Sequence, residues 1–266
     1  MIRGGSGTLQ ADLETFSHRA RSWNLHLNTG KCVFMRFGTG SPCDMPVGYS
    51  LYGQNLTQVE AHKDLGVLVD TNLKFHLHVG SLVRKANGVA NQLLKATVCR
   101  SAKFMVTLFV SHIRPLLDFS ARLWNVGYLG DVRKLEMVQI SWVKEISGMR
   151  ALPYTECLKS LELFSVYGRM VRGDLIKIWQ AFHPVVDIVG LRNLLDTQTH
   201  SATRSNGYKL AVPRCRLELH RRFWSVRCVQ RWNSLPAEVV QAPSLESFKR
   251  RLDAHLSELL FETIDD

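Results

Sequence analysis

The chain has 266 residues, 45% of them hydrophobic, which suits one large or two smaller packed domains and excludes a disordered chain. Its net charge of +11 points toward a polyanionic partner. The most apolar stretch, Phe104 to Trp124, is interrupted by His112, Arg114, Pro115, Asp118 and Arg122, whereas a membrane span needs about 20 residues with few or no charges.

Leu9, Leu13, Phe16, Ala20 and Trp23 recur at helical spacing, with Ser6 or Thr8 as the cap. Asn28-Thr29-Gly30 ends that helix, and Cys32 to Phe37 reads as a strand. Tyr49–Tyr52 and Leu56–Val59 flank Gly53-Gln54-Asn55 as a hairpin, and Asp64 to Val69 reads as a buried strand. The period then becomes helical. Leu82, Val83, Ala86, Val89, Ala90, Leu93 and Leu94 form one stripe, and Phe104, Leu108, Phe109 and Ile113 form another that Pro115 ends or kinks. Asp131 is the expected cap of a helix carrying Leu135, Val138, Trp142, Val143 and Ile146, closed by Gly148. Pro153 opens a short helix, Val166 to Phe182 a longer one, and Asp196 to Gly207 is a polar linker. A last helix follows Pro243-Ser244. The fold class is therefore α+β. A helix and a small antiparallel sheet occupy 1–72, a helical region 73–195, and a basic extension with a terminal helix 196–266.

The charge is unevenly placed. Thr71 to Leu117 carries seven basic residues and no acid, Arg204 to Arg231 eight basic residues and one acid, and Leu252 to Asp266 five acids and no Lys or Arg. Basic blocks of this kind fit a nucleic-acid backbone, and equally a solvated face. The six cysteines lie far apart with no C-x-x-C pair, so they read as reduced thiols rather than a zinc site. His76 and His78 read as exposed polar residues leading into a helix. With no charged start followed by a long apolar run, the expected location is intracellular, in cytoplasm or nucleus.

Chemistry is harder to place. A two-metal nucleotidyl transfer needs clustered carboxylates, yet the one adjacent acid pair is Asp265-Asp266, at the end of the acidic tail. No phosphate-binding loop, nucleophile elbow or zinc-binding His-Glu-x-x-His is present.

Five phrases, in order, carry a family likeness: LQADLETFSHRARSWNLHLNTGKCVFMRFG, KDLGVLVDTNLKF, SHIRPLLDFSARLWN, KLEMVQISWVKEISGMR and FWSVRCVQRWNSLPAEVVQAPSLESFKRRLD. Together they resemble the palm end, thumb and C-terminal extension of non-LTR (LINE-type, jockey-like) retrotransposon reverse transcriptases. The resemblance runs from about Leu9 to Leu256. It implies that Lys31, after Asn28-Thr29-Gly30, approaches the phosphates of an incoming nucleotide. Lys63 and Gly66 fall in a primer-grip strand, with Gly66 allowing close backbone approach. Arg84, Lys85, Lys95 and Arg114 fall in a thumb that grips a template–primer duplex. Arg214, Arg216, Arg221, Arg222, Arg227 and Arg231 interleave with Phe223, Trp224 and Trp232, which pack in a core or stack on bases.

The sequence holds no Phe/Tyr-x-Asp-Asp, the turn that carries the family's metal-binding aspartates. The expectation is an RNA/DNA-binding part of a polymerase with no catalytic residue, metal or cofactor of its own, magnesium belonging to the complete enzyme. The rival expectations are an active enzyme whose catalytic half is encoded upstream, and a decayed reading frame.

Overall fold

The structure, a computed structural model, describes residues 6–38, 48–183, 195 and 208–263. Cys43, the Asp196–Gly207 linker and Asp265-Asp266 lie outside the described residues. The chain divides into two compact units, Met1–Leu73 and Lys74–Asp266.

The first unit is α1 (Ser6–Ser22), a 3-10 turn at Thr29–Lys31, and six short strands: β1 (Val33–Phe34), β2 (Ser50–Leu51), β3 (Gln54–Asn55), β4 (Thr57–Gln58), β5 (Ala61–Asp64) and β6 (Val67–Asp70). They form three two-stranded ladders, β1–β4 parallel, β2–β3 and β5–β6 antiparallel, rather than one antiparallel sheet. Two turns set this pattern. Tyr52 (φ 54°) and Gly53 (φ 75°) both have positive φ, as do Leu65 (φ 44°) and Gly66 (φ 91°). Two consecutive positive φ values make a type I′ turn, whose twist matches that of a hairpin. The first hairpin therefore turns at Tyr52-Gly53, one residue early, and Thr57–Gln58 pairs with β1. The expected strand Asp64–Val69 is a hairpin, with Leu65 89% exposed at its tip. Gln10 ties α1 to β2 as a strand neighbour would: its amide donates to the Ser50 carbonyl and accepts from the Ser50 N–H, both at 3.1 Å. Ala20, Leu51 and Val67 are buried, but Phe16 and Trp23 are 56% and 73% exposed, so the apolar stripe of α1 is only partly covered.

The second unit is helical: α2 (His76–Ala96), α3 (Ala102–Leu108), α4 (Arg114–Asp118), α5 (Ala121–Trp124), α6 (Leu129–Lys144), α7 (Tyr154–Ser160), α8 (Val166–Phe182), α9 (Glu218–Arg222), α10 (Trp224–Arg227), α11 (Val229–Ser234), α12 (Ala237–Val240) and α13 (Leu245–His255). A π-helical turn, Phe109–Ile113, joins α3 to α4. It widens the helix just before Pro115, which has no N–H to donate into the ladder. Asp131 is not the cap of α6. Tyr128 precedes the first turn, and the Asp131 carboxylate takes His76 Nδ1 at 2.5 Å and Lys134 at 2.9 Å. His78 is not exposed: it is buried, with its ring edge-on to Trp124 at 5.4 Å.

Two cores result. Met105, Phe109, Ile113, Leu117, Leu135, Val138 and Trp142 fill one. In the other, Leu175, Ile178 and Trp179 of α8 meet Trp232, Val240, Phe248 and Leu252. Each fully buried indole N–H has an acceptor: Trp124 on Phe119 O, Trp142 on Met105 O, Trp179 on Val240 O and Trp232 on Tyr208 O. This satisfies the one polar atom of an otherwise apolar ring.

Helix α8 lines the second of these cores, and its start is fixed by polar contacts. Ser165 Oγ accepts from Gly168 N–H at 2.9 Å. Buried Glu136 accepts from Val166 and Tyr167 N–H at 2.8 and 3.3 Å, and from Tyr154 Oη at 2.6 Å. A carboxylate suits the positive end of a helix. Even so, burial pushes its pKa above the usual carboxylate range, against the pull of Tyr154 and Arg169. Gly168 sits directly on the chain at Leu260, where Ser165 N–H donates to the Leu260 carbonyl at 2.9 Å.

Two outcomes follow from this joint. A Cβ at Gly168 would lie 2.7 Å from Leu260 Cα and O, both backbone atoms. Gly168→Ala is therefore expected to cost about 1–3 kcal/mol of unfolding free energy. Urea denaturation checks it, and an unchanged midpoint would refute the close approach. For Glu136, a raised folded pKa means the native state holds the proton more tightly than the unfolded chain. That stabilisation is complete below the ordinary glutamate value of about 4.3 and is lost as pH rises through the raised value. Glu136→Gln should remove this component, so parent and variant diverge on acidification from neutral pH. Parallel stability–pH curves would show that Glu136 titrates normally.

Candidate nucleic-acid interface

The residues expected to contact nucleic acid fall into three groups. Lys31, Lys63 and Gly66 lie in the first unit, all exposed. Lys31 closes the 3-10 turn, and Lys63 pairs in register with Leu68. Gly66 is the second residue of a type I′ turn, with φ 91°, a conformation that glycine adopts without strain.

Arg84, Lys85 and Lys95 form the second group, exposed along α2. Arg84 and Lys95 are eleven residues apart, roughly three turns, and so share a face. Among the described residues no carboxylate lies within ion-pair distance of these three, nor of exposed Arg214 and Arg216 ahead of α9.

The third group lines two neighbouring clefts along α8. The smaller, about 230 Å³, is lined by Arg114, Arg122, Arg169, Arg172, Asp118 and Asp174 together with Phe164, Asn125 and Met170. The larger, about 350 Å³, has apolar lining from Val126, Leu129, Val132, Met170, Val171 and Leu175. Tyr167, Glu218, Arg221, Arg222, Arg227 and Arg231 also line it. Asn125, Met170 and Asp174 line both.

Geometry separates arginines that the sequence shows as equivalent. Arg227 is internal in role: it holds buried Asp174 with Nε and Nη2 at 3.0 and 2.8 Å and donates to the Arg222 and Asn125 carbonyls. Burial raises the Asp174 pKa, while Arg227 opposes the shift. Arg222 is half-committed, to Glu218 at 2.9 Å, the Gly127 carbonyl at 3.2 Å and the Tyr128 ring at 4.4 Å. Arg221 meets Glu218 at 3.4 Å with both side chains well exposed, a pair of little energetic consequence. Exposed Arg231 donates to Tyr167 Oη at 2.5 Å and lies over that ring. Arg114 pairs with Asp118 at 3.0 Å. Trp224 and Trp232 are buried in the core, so they pack and are closed to a base.

Three cleft arginines escaped the sequence reading. Arg122 is exposed, and its one described polar contact is to the Gly173 carbonyl at 3.5 Å. Arg172 grips Asp253 with 2.5 and 2.9 Å bonds. Arg169 is buried and donates to Gln139, Asp118 and the Phe164 carbonyl. The signal available was Arg169-Met-Val-Arg172 among the apolar residues of α8, since buried arginine must be paired. Cys228, in the wall of the larger cleft, is no nucleophile: burial and nearby Asp174 push its thiol pKa up to about 12. Among the described residues no group of three His, Cys, Asp or Glu side chains could hold a metal ion, and no helix is long and apolar enough to cross a membrane.

Comparison with known proteins gives a consistent kinship. The chain is 29% identical over 143 residues to the RNA-directed DNA polymerase from mobile element jockey of Drosophila funebris, covering 53% of this chain and 15% of that protein. It is 26% identical over 152 residues to the Drosophila melanogaster counterpart, covering 55% and 16% respectively. No family model matches, and no solved structure does. The chain thus matches about one sixth of the length of these relatives, and by sequence it is related to part of the RNA-directed DNA polymerase of jockey-type mobile elements.

Proposed function

We propose that the chain is a nucleic-acid-binding part of a reverse transcriptase, holding the phosphate backbone of an RNA/DNA template–primer duplex without catalysing synthesis by itself. The observation that carries this reading is the set of exposed cations without carboxylate partners: Arg84, Lys85 and Lys95 on α2, and Arg214 and Arg216 before α9. Unneutralised side chains of this kind displace counterions from a phosphate backbone and position it without reading sequence. Kinship to the jockey polymerases supports the choice of a nucleic acid over other polyanions. The absence of a Phe/Tyr-x-Asp-Asp phrase supports the separation of binding from synthesis. Lys31 keeps the place of a phosphate-approaching lysine, exposed on its turn, for a site whose carboxylates this sequence does not supply.

Primer extension with purified protein and magnesium or manganese should give no product. Extension that a chelator abolishes, and that a mock purification lacks, would contradict the proposal. Binding to duplex should weaken with salt and be indifferent to sequence. Replacing Arg84 and Lys85 together with Ala should flatten the dependence of log affinity on log salt by up to about two units on B-form DNA, about 0.9 for each phosphate no longer neutralised. Surface substitutions change stability by about 0.5 kcal/mol or less, so folding is not the confounder. A double variant with an unaltered slope would mean that α2 is merely a solvated face.

A further inference from the structure

The two clefts along α8 differ in chemistry in a way that a duplex backbone does not require. Phosphate binding needs only exposed cations, yet the larger cleft offers an apolar lining from Leu129, Val132, Met170, Val171 and Leu175. Its volume of about 350 Å³ falls within the range of sites that enclose small organic groups, about 300–1,000 Å³. Two planar groups border that apolar surface. One is the Tyr167 ring, and the other is the Arg222 guanidinium, held over Tyr128 at 4.4 Å. The cations Arg221 and Arg231 are exposed.

The neighbouring smaller cleft is suited to an anion. Its acids are already matched, Asp174 by Arg227 and Asp118 by Arg114 and Arg169. Arg122 has no carboxylate partner among the described residues, and it helps hold the Lys177 pKa below the usual lysine value, after the larger effect of desolvation. Arg169 contributes one nitrogen, Nη2, that is buried and lacks a hydrogen-bond partner among the described residues. Such an unmet donor is costly, and an oxyanion in the cleft would supply the missing acceptor. Asn125 and Met170 line both clefts, so an apolar planar group and an anion can be held side by side.

We propose that this groove binds a single nucleic-acid strand, with one unpaired base against the apolar surface by Tyr167 and an adjoining backbone phosphate at Arg122 and Arg169. The bases of a duplex are stacked and paired, so they cannot enter a cleft of this kind, whereas an unpaired base presents a free π-face to aromatic and guanidinium planes. The proposal rests on the nucleic-acid reading above and names the form of nucleic acid this groove takes. It assigns the α2 and Arg214/Arg216 cations to duplex and the α8 groove to the strand beyond it.

The test compares a short fluorescent single-stranded oligonucleotide with the blunt duplex of the same sequence, at matched salt. Tyr167→Leu should weaken the single strand by roughly fivefold or more, the lower end of what one stacked base contributes, and leave duplex affinity unchanged. Arg122→Ala should flatten the single-strand salt slope by about 0.7, the effect of one neutralised phosphate. In the parent protein, irradiation of a single strand carrying 5-iodouracil should attach it at Tyr167, read by peptide mass spectrometry. This measurement needs no variant and decides the matter if Tyr167→Leu fails to fold. Failure of the parent to bind either single strand or duplex would overturn the broader reading and this one together. Normal duplex binding, with a single strand indifferent to Tyr167→Leu or attached elsewhere, would overturn the groove alone.

Discussion

Glu136 fixes where α8 begins, and α8 in turn positions the arginines of both clefts. The carboxylate accepts the first free N–H groups of α8 and the Tyr154 hydroxyl, while Arg169, one turn into the helix, reaches back to Gln139 on α6. A helix end buried without acceptors would cost several unmet hydrogen bonds. Here Glu136 on α6 accepts two of these N–H groups and Ser165 a third. The register of α8 against α6 is thereby set, and Arg172, Gly173 and Asp174 follow at fixed angles around the helix. Gly168 completes the constraint, since only a residue without a side chain lets the backbone at Leu260 lie so close.

With α8 fixed, the basic phrase near the C-terminus separates into roles. Arg227 neutralises an aspartate in the protein interior, and removing it would leave Asp174 buried and unpaired, a large penalty. Arg222 lies over Tyr128. Arg214, Arg216, Arg221 and Arg231 remain at the surface. A count of basic residues overstates the charge available to a partner, because buried pairs contribute little field outside the protein. The interleaved tryptophans follow the same logic. Trp224 and Trp232 have core spacing and are buried, leaving Tyr167 as the aromatic side chain that lines the cleft.

In the first unit, local backbone chemistry dominates. Two type I′ turns, at Tyr52-Gly53 and Leu65-Gly66, cut what alternation alone presents as longer strands into short hairpins. Leu65 reads as apolar core by type and sits exposed at a turn tip, because the residue before Gly66 must also take positive φ. Hydropathy could not have shown this; paired turn geometry could. The partly covered stripe of α1, with Phe16 and Trp23 exposed, marks a helix whose amphipathic pattern exceeds the surface that its own unit offers.

The sequence by itself determined the α+β class, the bounds of α8 from Val166 to Phe182, a last helix following Pro243-Ser244 and the kinship to jockey polymerases, because periodicity, helix-start residues and shared phrases are local and survive without tertiary context. Tertiary structure decided which acids and bases meet. Asp131 looks like a cap and is instead the partner of His76, fifty-five positions away. Arg227 finds Asp174 across fifty-three. Arg122, Arg169 and Arg172 drew no notice in the sequence because they are spread over two helices. They line one cleft only once Glu136, Ser165 and Gly168 have set the position of α8. Burial and pairing are properties of the packed chain, and no spacing rule along the sequence encodes them.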